Sequence, residues 1–387
     1  WREPYSNMPP VNPHLTTPAG RPRARSLQIP FSGTPGPANA ITDVPGLEVG
    51  VCTRIEGDSV RTGVTAIHPR GKANPGDPCA AATFSLNGNG EMTGVTWIEE
   101  SGTMALPIAI TNTHAVGIAQ EAIIHWVASR HPELADVWML PVAAETWDGY
   151  LNDINGGHVT REHVLQALDS ATGGPVEEGS VGGGTGMNCY TYKGGNGTAS
   201  RSVAWGSQTY TVGTLLQCNF GSRHELAIGG VPLGAELADD DPIRDWTPAQ
   251  AGAGSVIAIV ATDAPLLPGQ CKALARRVPL GLARTGTTGS HFSGDIFLAF
   301  STANPGAFRT GFPPDSGPGD ADHDSLRFVP WMWMDLLFTA VVQCVEESVV
   351  NALVANEEMV GREGHRTPGL PRDRVRDLLA ARGALTP

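Results

Sequence analysis

Ser255 stands where a flexible stretch of the chain meets a rigid one, within AGAGSVIAIVATDAPLL at residues 251–267. The four residues before it are only glycine and alanine, and the apolar run after it predicts a buried strand from Val256 to Ala261. By pattern alone, a serine at this boundary is the ordinary start of a strand. It would become a nucleophile if the chain broke in front of it, because a hydroxyl needs a neighbouring base in order to attack.

The other charged and metal-binding residue types form weaker patterns. The acidic run Asp239–Asp241 could hold a cation, but consecutive carboxylates in a loop that contains proline are usually solvated. The histidines show neither HxxxH nor HExxH spacing. The sequence therefore predicts no metal site.

Two glycine-rich stretches could bind an anion or a cofactor. GNGEMTG, residues 88–94, resembles a dinucleotide-binding loop, but the residues after it are predicted to form a strand and not the helix that such a loop requires. GGGTGMN, residues 182–188, lacks the G-x-S-x-G pattern of a nucleophile elbow. Glycines of this kind usually mark tight packing, although they also offer backbone N–H groups to a developing oxyanion. We predict no cofactor.

The composition limits the possible partners. The formal net charge of −13 argues against nucleic acid and anionic membranes, which both require a basic surface. The six cysteines are scattered without a CxxC pair, which predicts buried free thiols. The longest apolar runs are shorter than the ~18 residues of a membrane span. No signal peptide is visible and the chain begins at Trp1, so the compartment stays open.

The order of the predicted elements indicates a layered α+β domain. Residues 1–40 are rich in proline and are predicted to form an extended arm, and residues 236–254 a loop. Short strands precede a helix at 117–130, and Thr160 is the predicted N-cap of the next helix. After the loop we predict a strand at 256–262, a helix at about 268–284, a strand at 294–302 and a long helix at about 331–356.

Several longer stretches together resemble one known family. They are NGNGEMTG, PIAITNTHAVG, ETWDGYLNDINGGHV, GGGTGMNCYTYKGGNGTASR, GSVIAIVATDAPLLPGQCKALARR and GLARTGTTGSHFSGDIFLAFSTAN. They are similar to the L-aminopeptidase/D-esterase family, which includes the β-peptidyl aminopeptidases and, more distantly, nylon-oligomer and pantetheine hydrolases. The resemblance runs from about residue 24 to about residue 365.

The resemblance implies that the chain cuts itself. Members of the family have a four-layer αββα fold of the N-terminal-nucleophile-hydrolase type with a distinct connectivity. For this sequence, the resemblance predicts a single domain of residues 1–387 that is cleaved between Gly254 and Ser255 into fragments 1–254 and 255–387. Cleavage frees an α-amine with a reference pKa of about 7.7–8.0, which suits a general base at neutral pH.

The same resemblance assigns roles around the nucleophile. FSGD matches a Ser-x-acid motif, so Ser293 is expected to relay a hydrogen bond to Ser255 and Asp295 to stabilise the α-ammonium. Relatives often have Glu at this position, and the shorter Asp changes the reach. Asn219 matches the donor to the oxyanion, and Lys193 matches a lysine that assists self-cleavage or belongs to a charged network. A structural salt bridge is the alternative for Lys193.

Two further positions concern the substrate. Glu145 matches the carboxylate that binds the free ammonium of the substrate, and Trp147 stands where many relatives have Tyr, so a role for a phenol is lost. The resemblance implies an aminopeptidase that acts on short peptides, amides or esters through an acyl-enzyme on Ser255, and that forms a tetramer of cleaved pairs. An endo-acting amide hydrolase of the nylon-oligomer or pantetheine type, or a non-enzymatic binding protein, are the alternatives.

Overall fold

The computed structural model describes residues 12–246, 254–313, 315–319 and 322–386. Part of the predicted arm, residues 1–11, and part of the predicted loop, residues 247–253, lie outside the described residues. The α-helices of the described chain are α1 (Val95–Ser101), α2 (Val116–Arg130), α3 (Arg161–Ser170), α4 (Pro242–Trp246), α5 (Pro268–Ala275), α6 (Val278–Ala283), α7 (Met334–Val354) and α8 (Arg372–Ala381).

The strands alternate with these helices along the chain. They are β1 (Glu48–Glu56), β2 (Val60–His68), β3 (Cys79–Gly88), β4 (Thr103–Met104), β5 (Ile108–Asn112), β6 (Val142–Thr146), β7 (Asn188–Cys189), β8 (Tyr192–Lys193), β9 (Gly195–Trp205), β10 (Gln208–Asn219), β11 (Ala227–Ile228), β12 (Val231–Pro232), β13 (Ser255–Thr262), β14 (Gly294–Ser301), β15 (Met359–Val360) and β16 (Arg366–Thr367).

Two large sheets lie face to face between layers of helices. One has four strands in the order β1-β2-β5-β6, and the other has six in the order β4-β3-β14-β13-β10-β9. Helices α2 and α3 cover the outer face of the first sheet, and α5 and α7 cover the outer face of the second. The predicted four-layer αββα arrangement is confirmed.

Alternation along β13 separates two of the apolar cores. Val256 and Ala258 pack among the residues of α5 and α7, whereas Ile257 and Ile259 pack between the two sheets. Because side chains alternate with period two, Ser255 belongs to the face between the sheets. A residue that opens this strand therefore points toward the space where the sheets meet.

The helix α7 supplies the longest apolar element of the structure. Together with a preceding turn it spans Trp331–Val354 and is long and apolar enough to cross a membrane by composition, contrary to the expectation from run length. Most of it is buried against the six-stranded sheet. Its apolar character is accounted for by this packing.

Some local predictions are wrong. Residues 95–101 form helix α1 where a strand was expected, so the 88–94 loop does join a strand to a helix. The helix predicted at about 268–284 is two helices, separated at Arg276 and Arg277, because Pro279 fits only the first turn of a new helix. The cysteines are all free and buried, as predicted.

A buried ion pair fixes α7 to the N-terminal part of the chain. The carboxylate of Glu347 accepts from Arg25 Nε at 2.6 Å, from Arg201 Nη2 at 2.6 Å and from Asn39 Nδ2 at 2.7 Å. Burial acts to raise the pKa of Glu347, but the bonds from Arg25 and the charge of Arg201 hold it below its usual value. The Glu347 carboxylate and its three donors thus depend on one another.

Removing this charge is expected to destabilise the fold. Glu347→Gln leaves two guanidinium groups facing a neutral amide, and we expect a loss of about 3–5 kcal/mol in the free energy of unfolding. Glu346→Gln is the matched control, because Glu346 pairs with the half-exposed Arg284 and such a pair contributes about 0–1 kcal/mol. Denaturant titration checks both, and equal losses would contradict the importance of the buried pair.

Candidate active site

Ser255 is the first residue of β13 and is held by strands on both sides. It pairs with Asn219 of β10 in antiparallel register and with Gly294 of β14 in parallel register. Its side chain is buried, and its Oγ accepts from the Trp147 backbone N–H at 3.3 Å and from Asn219 Nδ2 at 3.3 Å. Two donors therefore converge on the oxygen that would carry out an attack.

The amide of Asn219 is held in one orientation. Its Oδ1 accepts from the backbone N–H of Asn188 at 2.9 Å, and its Nδ2 also donates to the Trp147 carbonyl at 2.9 Å. Because the oxygen is occupied by a donor, the N–H₂ group faces Ser255. The amide therefore presents its N–H groups beside the Ser255 hydroxyl.

Ser293 and Asp295 form a pair beside the start of β13. The Ser293 hydroxyl donates to Asp295 Oδ1 at 2.5 Å, and Asn87 Nδ2 donates to Oδ2 at 3.0 Å. Burial raises the pKa of Asp295, while bonds from Ser293, Asn87 and the Val256 backbone act to lower it. Among the described residues no hydrogen bond joins Ser293 to Ser255, so the expected relay is not formed in this structure.

Glu145 is the penultimate residue of β6 and a buried carboxylate on the wall of the cavity that Ser255 lines. Its Oε1 accepts from the Glu91 backbone N–H at 2.9 Å, and its Oε2 accepts from the Thr113 hydroxyl. Burial raises the pKa of Glu145, and these two donors act in the opposite direction. Since an uncompensated buried carboxylate is costly, the site favours a cationic ligand.

Trp147 follows Glu145 by two residues in the chain and contacts Ser255. Its backbone contacts Ser255 and Asn219, while its indole is 40% exposed. The ring lies over Gly149, where a Cβ atom would come within 2.3 Å of the indole Cζ2. Glycine at 149 therefore allows the indole to fold down against the backbone.

Glu145, Trp147, Asn219 and Ser255 line one cavity of about 820 Å³, whereas Ser293 and Asp295 are not among its lining residues. Tyr150 and Trp246 form part of its wall, and both rings pack against His365, which stacks on Tyr150 at a centroid distance of 4.7 Å. Phe292 contributes a further exposed ring. The cavity thus combines a polar floor with aromatic walls.

A two-residue hairpin turn also lines the cavity. It joins β7 to β8 through Tyr190 and Thr191, with φ values of 52° and 57°. Turns with two positive φ angles normally carry Asn-Gly, and each residue held in such a conformation costs about 1–3 kcal/mol. The turn is held by Arg223, which donates to the carbonyls of Tyr190 and Thr191 at 2.9 Å each.

Lys193 lies at the end of this hairpin and is fully buried. Its Nζ donates to the carbonyls of Met187 at 2.5 Å and Gly194 at 2.9 Å, and burial lowers its pKa to about 7. Among the described residues it forms neither a salt bridge nor a hydrogen bond to Ser255. Neither of its two hydrogen bonds connects Lys193 to another predicted site residue.

The acidic run predicted to be solvated lies at the surface. Asp240 pairs with Arg366, and Asp239 pairs with Arg374 at 3.1 Å. Within the described part of the chain, no group of three or more His, Cys, Asp or Glu residues could hold a metal ion.

Sequence reasoning did not single out four polar residues at or beside the cavity, which are Asn87, Thr113, Asn188 and Thr191.

Known proteins are similar to this chain over nearly its whole length. A profile of peptidase family S58 matches residues 39–367. The β-peptidyl aminopeptidase BapA of Sphingosinicella microcystinivorans is 45% identical over 375 residues, which is 92% of each chain. The enzyme of the same name from Sphingosinicella xenopeptidilytica is 45% identical over 377 residues, covering 93% of this chain and 92% of its own.

Two solved structures have the same fold. The L-aminopeptidase D-Ala-esterase/amidase of Ochrobactrum anthropi superposes with a TM-score of 0.87 at 43% identity, over 95% of this chain and all of that one. It is described as a prototype of the serine aminopeptidases and a variant of the Ntn hydrolase fold. A β-aminopeptidase of a Burkholderia species gives 0.84 at 45% identity, over 94% and 100% of the two chains.

The amide of Asn219 can be tested against a second amide of the cavity. If Asn219 donates to the oxyanion as predicted, we expect Asn219→Ala to lower kcat for an amino-acid p-nitroanilide about 10²–10³-fold, the typical cost of losing one such donor. Asn89→Ala is the control, since that amide donates to the Phe292 carbonyl at 2.8 Å and does not contact Ser255. Steady-state kinetics decide, and a similar loss in both variants would rule out the special role of Asn219.

Proposed function

The chain belongs to peptidase family S58, and we propose on this premise that it cuts itself between Gly254 and Ser255 and then acts as a serine aminopeptidase. It releases N-terminal residues from short peptides, amides or esters. One observation carries the proposal, which is that four groups meet in one cavity. They are the Ser255 hydroxyl, the N–H donors of Trp147 and Asn219, and the buried carboxylate of Glu145.

The surroundings of Gly254 support the proposed cut. A Cβ atom at this position would lie 2.1 Å from the Asn219 carbonyl oxygen, so only glycine fits. The Gly254 carbonyl accepts from the Gly294 N–H at 3.1 Å, which polarises it. Ser255 Oγ attacks this carbonyl carbon, and the hydroxyl proton passes to the Ser255 nitrogen as the C–N bond breaks and an ester forms on Oγ. Water then hydrolyses the ester, which releases the Gly254 carboxylate and restores the Ser255 hydroxyl.

The freed α-amine of Ser255 then serves as the base. It removes the proton of its own hydroxyl as Oγ attacks the substrate carbonyl, and it returns the proton to the leaving amine. Such general base catalysis is typically worth about 10²–10⁴-fold. The N–H groups of Trp147 and Asn219 stabilise the oxyanion. Asp295, beside the Val256 backbone, stabilises the α-ammonium, with Ser293 as its hydrogen-bond partner.

Glu145 supports exo-acting over endo-acting hydrolysis. An N-terminal ammonium is the cation that a buried carboxylate requires, whereas the interior of an amide chain brings no charge. The residue released can be an α-amino acid, a β-amino acid or a D-amino acid. The names of the relatives support the inclusion of β-residues. An endo-acting amide hydrolase remains the second candidate.

The cut is tested by the mass of the denatured protein. We expect two species that begin at Trp1 and Ser255, and a single intact chain for Ser255→Ala, which has no nucleophile. Ser301→Ala is the control, because that buried hydroxyl donates to the Ala264 carbonyl and lies outside the cavity. A single intact species with full activity would refute the proposal.

The ammonium site is tested by comparing a free-amine p-nitroanilide with its N-acetylated form. We expect Glu145→Gln to lower kcat/KM for the free amine about 10- to 100-fold, because a charge-assisted hydrogen bond is lost. In the unmodified enzyme the rate should fall as pH decreases through the raised pKa of Glu145, since protonation removes the charge that binds the ammonium.

A neighbouring carboxylate provides the control for this test. The side chain of Glu91 is exposed and accepts from the Met92 N–H at 3.0 Å, so Glu91→Gln should change kcat/KM less than about threefold. Faster turnover of the acetylated substrate would instead favour the endo-acting hydrolase.

We also propose that the chain associates with further copies of itself. Exposed apolar side chains just before and at the start of α7 support self-association, because apolar patches of this kind commonly mark contact surfaces. They belong to Phe328, Trp331, Met332 and Leu336. The predicted number of copies remains four cleaved pairs.

A further inference from the structure

Three exposed aromatic residues line the cavity beside Ser255. Trp147 and Trp246 are each 40% exposed, and Phe292 is 62% exposed. Apolar surface that a folded chain leaves exposed in one place commonly marks a binding site. The proposed reaction uses only the backbone N–H of Trp147, so the indole of this residue has no role in it.

We propose that the indole of Trp147 binds the side chain of the released residue, so that the enzyme prefers N-terminal residues with a large apolar or aromatic side chain. The inference rests on the proposed function and names the substrate class of the same site. An indole offers a wide, rigid apolar face to such a group. The cavity of about 820 Å³ leaves room for it above the ring.

The segment 145–147 brings the indole alongside the released residue. In the proposed reaction the amine of that residue lies at the Glu145 carboxylate, and its carbonyl carbon lies at Ser255 Oγ. The backbone nitrogen of Trp147 is 3.3 Å from this oxygen, so both ends of the released residue are bound within three residues of the chain. Thr146 is fully buried and is not a lining residue. The indole is therefore the apolar side chain that this segment presents to the substrate.

The position of the indole depends on Gly149. A Cβ atom on Gly149 would lie 2.3 Å from Cζ2, 2.6 Å from Cε2 and 3.0 Å from Nε1 of Trp147, and these are the three nearest atoms. The φ angle of Gly149 lies outside the left-handed region, so the backbone itself accepts an alanine there. A methyl group at 149 would therefore act on the indole, which would have to move away.

The residue after Gly149 extends the aromatic surface. Trp246 packs edge-to-face on the ring of Tyr150 at a centroid distance of 5.2 Å, and His365 stacks on the same ring at 4.7 Å. Tyr150 and Trp246 both line the cavity. The indole of Trp147 thus belongs to a wall whose other rings are held in place by packing, which lowers the entropy cost of binding an apolar group.

Two substitutions test the proposal, since Trp147→Ala removes the indole and Gly149→Ala displaces it. The probes are the p-nitroanilides of phenylalanine and alanine and those of their β-homologues, so that each pair shares one leaving group. The readout is the ratio of kcat/KM for the aromatic residue to kcat/KM for the small one, which cancels effects on the shared chemistry. We expect a ratio of about ten or more for the unmodified enzyme, because even one methylene in an apolar pocket is worth about tenfold or more. Each substitution should lower this ratio about fivefold or more.

A double variant and a control show whether the effect passes through the indole. Gly149→Ala should lower the ratio no further when residue 147 is already alanine, because the group that it displaces is gone. Trp138→Ala is the matched control, since that residue is 41% exposed and does not line the cavity, and it should leave the ratio unchanged.

Rates are expressed per mole of cut chain, so that a defect in self-cleavage is measured separately on a denaturing gel. If Trp147→Ala is not cut, Gly149→Ala decides alone, because it keeps the Trp147 backbone in place. A ratio of one or less in the unmodified enzyme, or an unchanged ratio in a cut single variant, would overturn the inference. Failure of the unmodified protein to hydrolyse any of the four probes would instead refute the proposed function.

Discussion

The pairing of Ser255 between Asn219 and Gly294 is the constraint on which the site depends. It places the hydroxyl on the face between the sheets, next to the Asn219 amide, and it brings Asp295 level with Val256. A slip of one residue would turn Ser255 toward α5 and α7. The register is held by Ile257 and Ile259 in the core between the sheets. The apolar residues that stabilise the fold therefore also orient the side chain of Ser255.

Glu145 and Lys193 are each held by uncharged groups and have no ion-pair partner among the described residues. Glu145 is held by an N–H and a hydroxyl, and Lys193 by two carbonyls, so neither is neutralised by the other. Asp148 is fully buried beside them, and burial raises its pKa to about 7. Isolated buried charges lower the stability of a fold. The Glu347 ion pair, by contrast, is fully compensated and lies far along the chain, in α7.

The sequence indicated the layers and the order of the main elements, but less of the site. The strands at 256–262 and 294–302 have unbroken apolar runs, which identify buried strands without tertiary information. Helix α1 was mistaken for a strand because Val95, Thr96 and Trp97 favour strands, and packing overrides that preference. The catalytic residues came from a family resemblance. Asn87 was missed because it meets Asp295 across 208 positions, which no local pattern records.

The strand order has a consequence for the cut molecule. β13 and β14 lie in the middle of the six-stranded sheet, with β3 on one side and β10 on the other. With the proposed cut, the second fragment is enclosed on both edges by the first, so the pieces separate only when the sheet itself unfolds. The intact chain folds at a rate independent of its concentration, whereas two released fragments must first meet. After the proposed cut, unfolding and refolding would thus follow different curves. The time for which the cut enzyme stays folded would be governed by its unfolding rate.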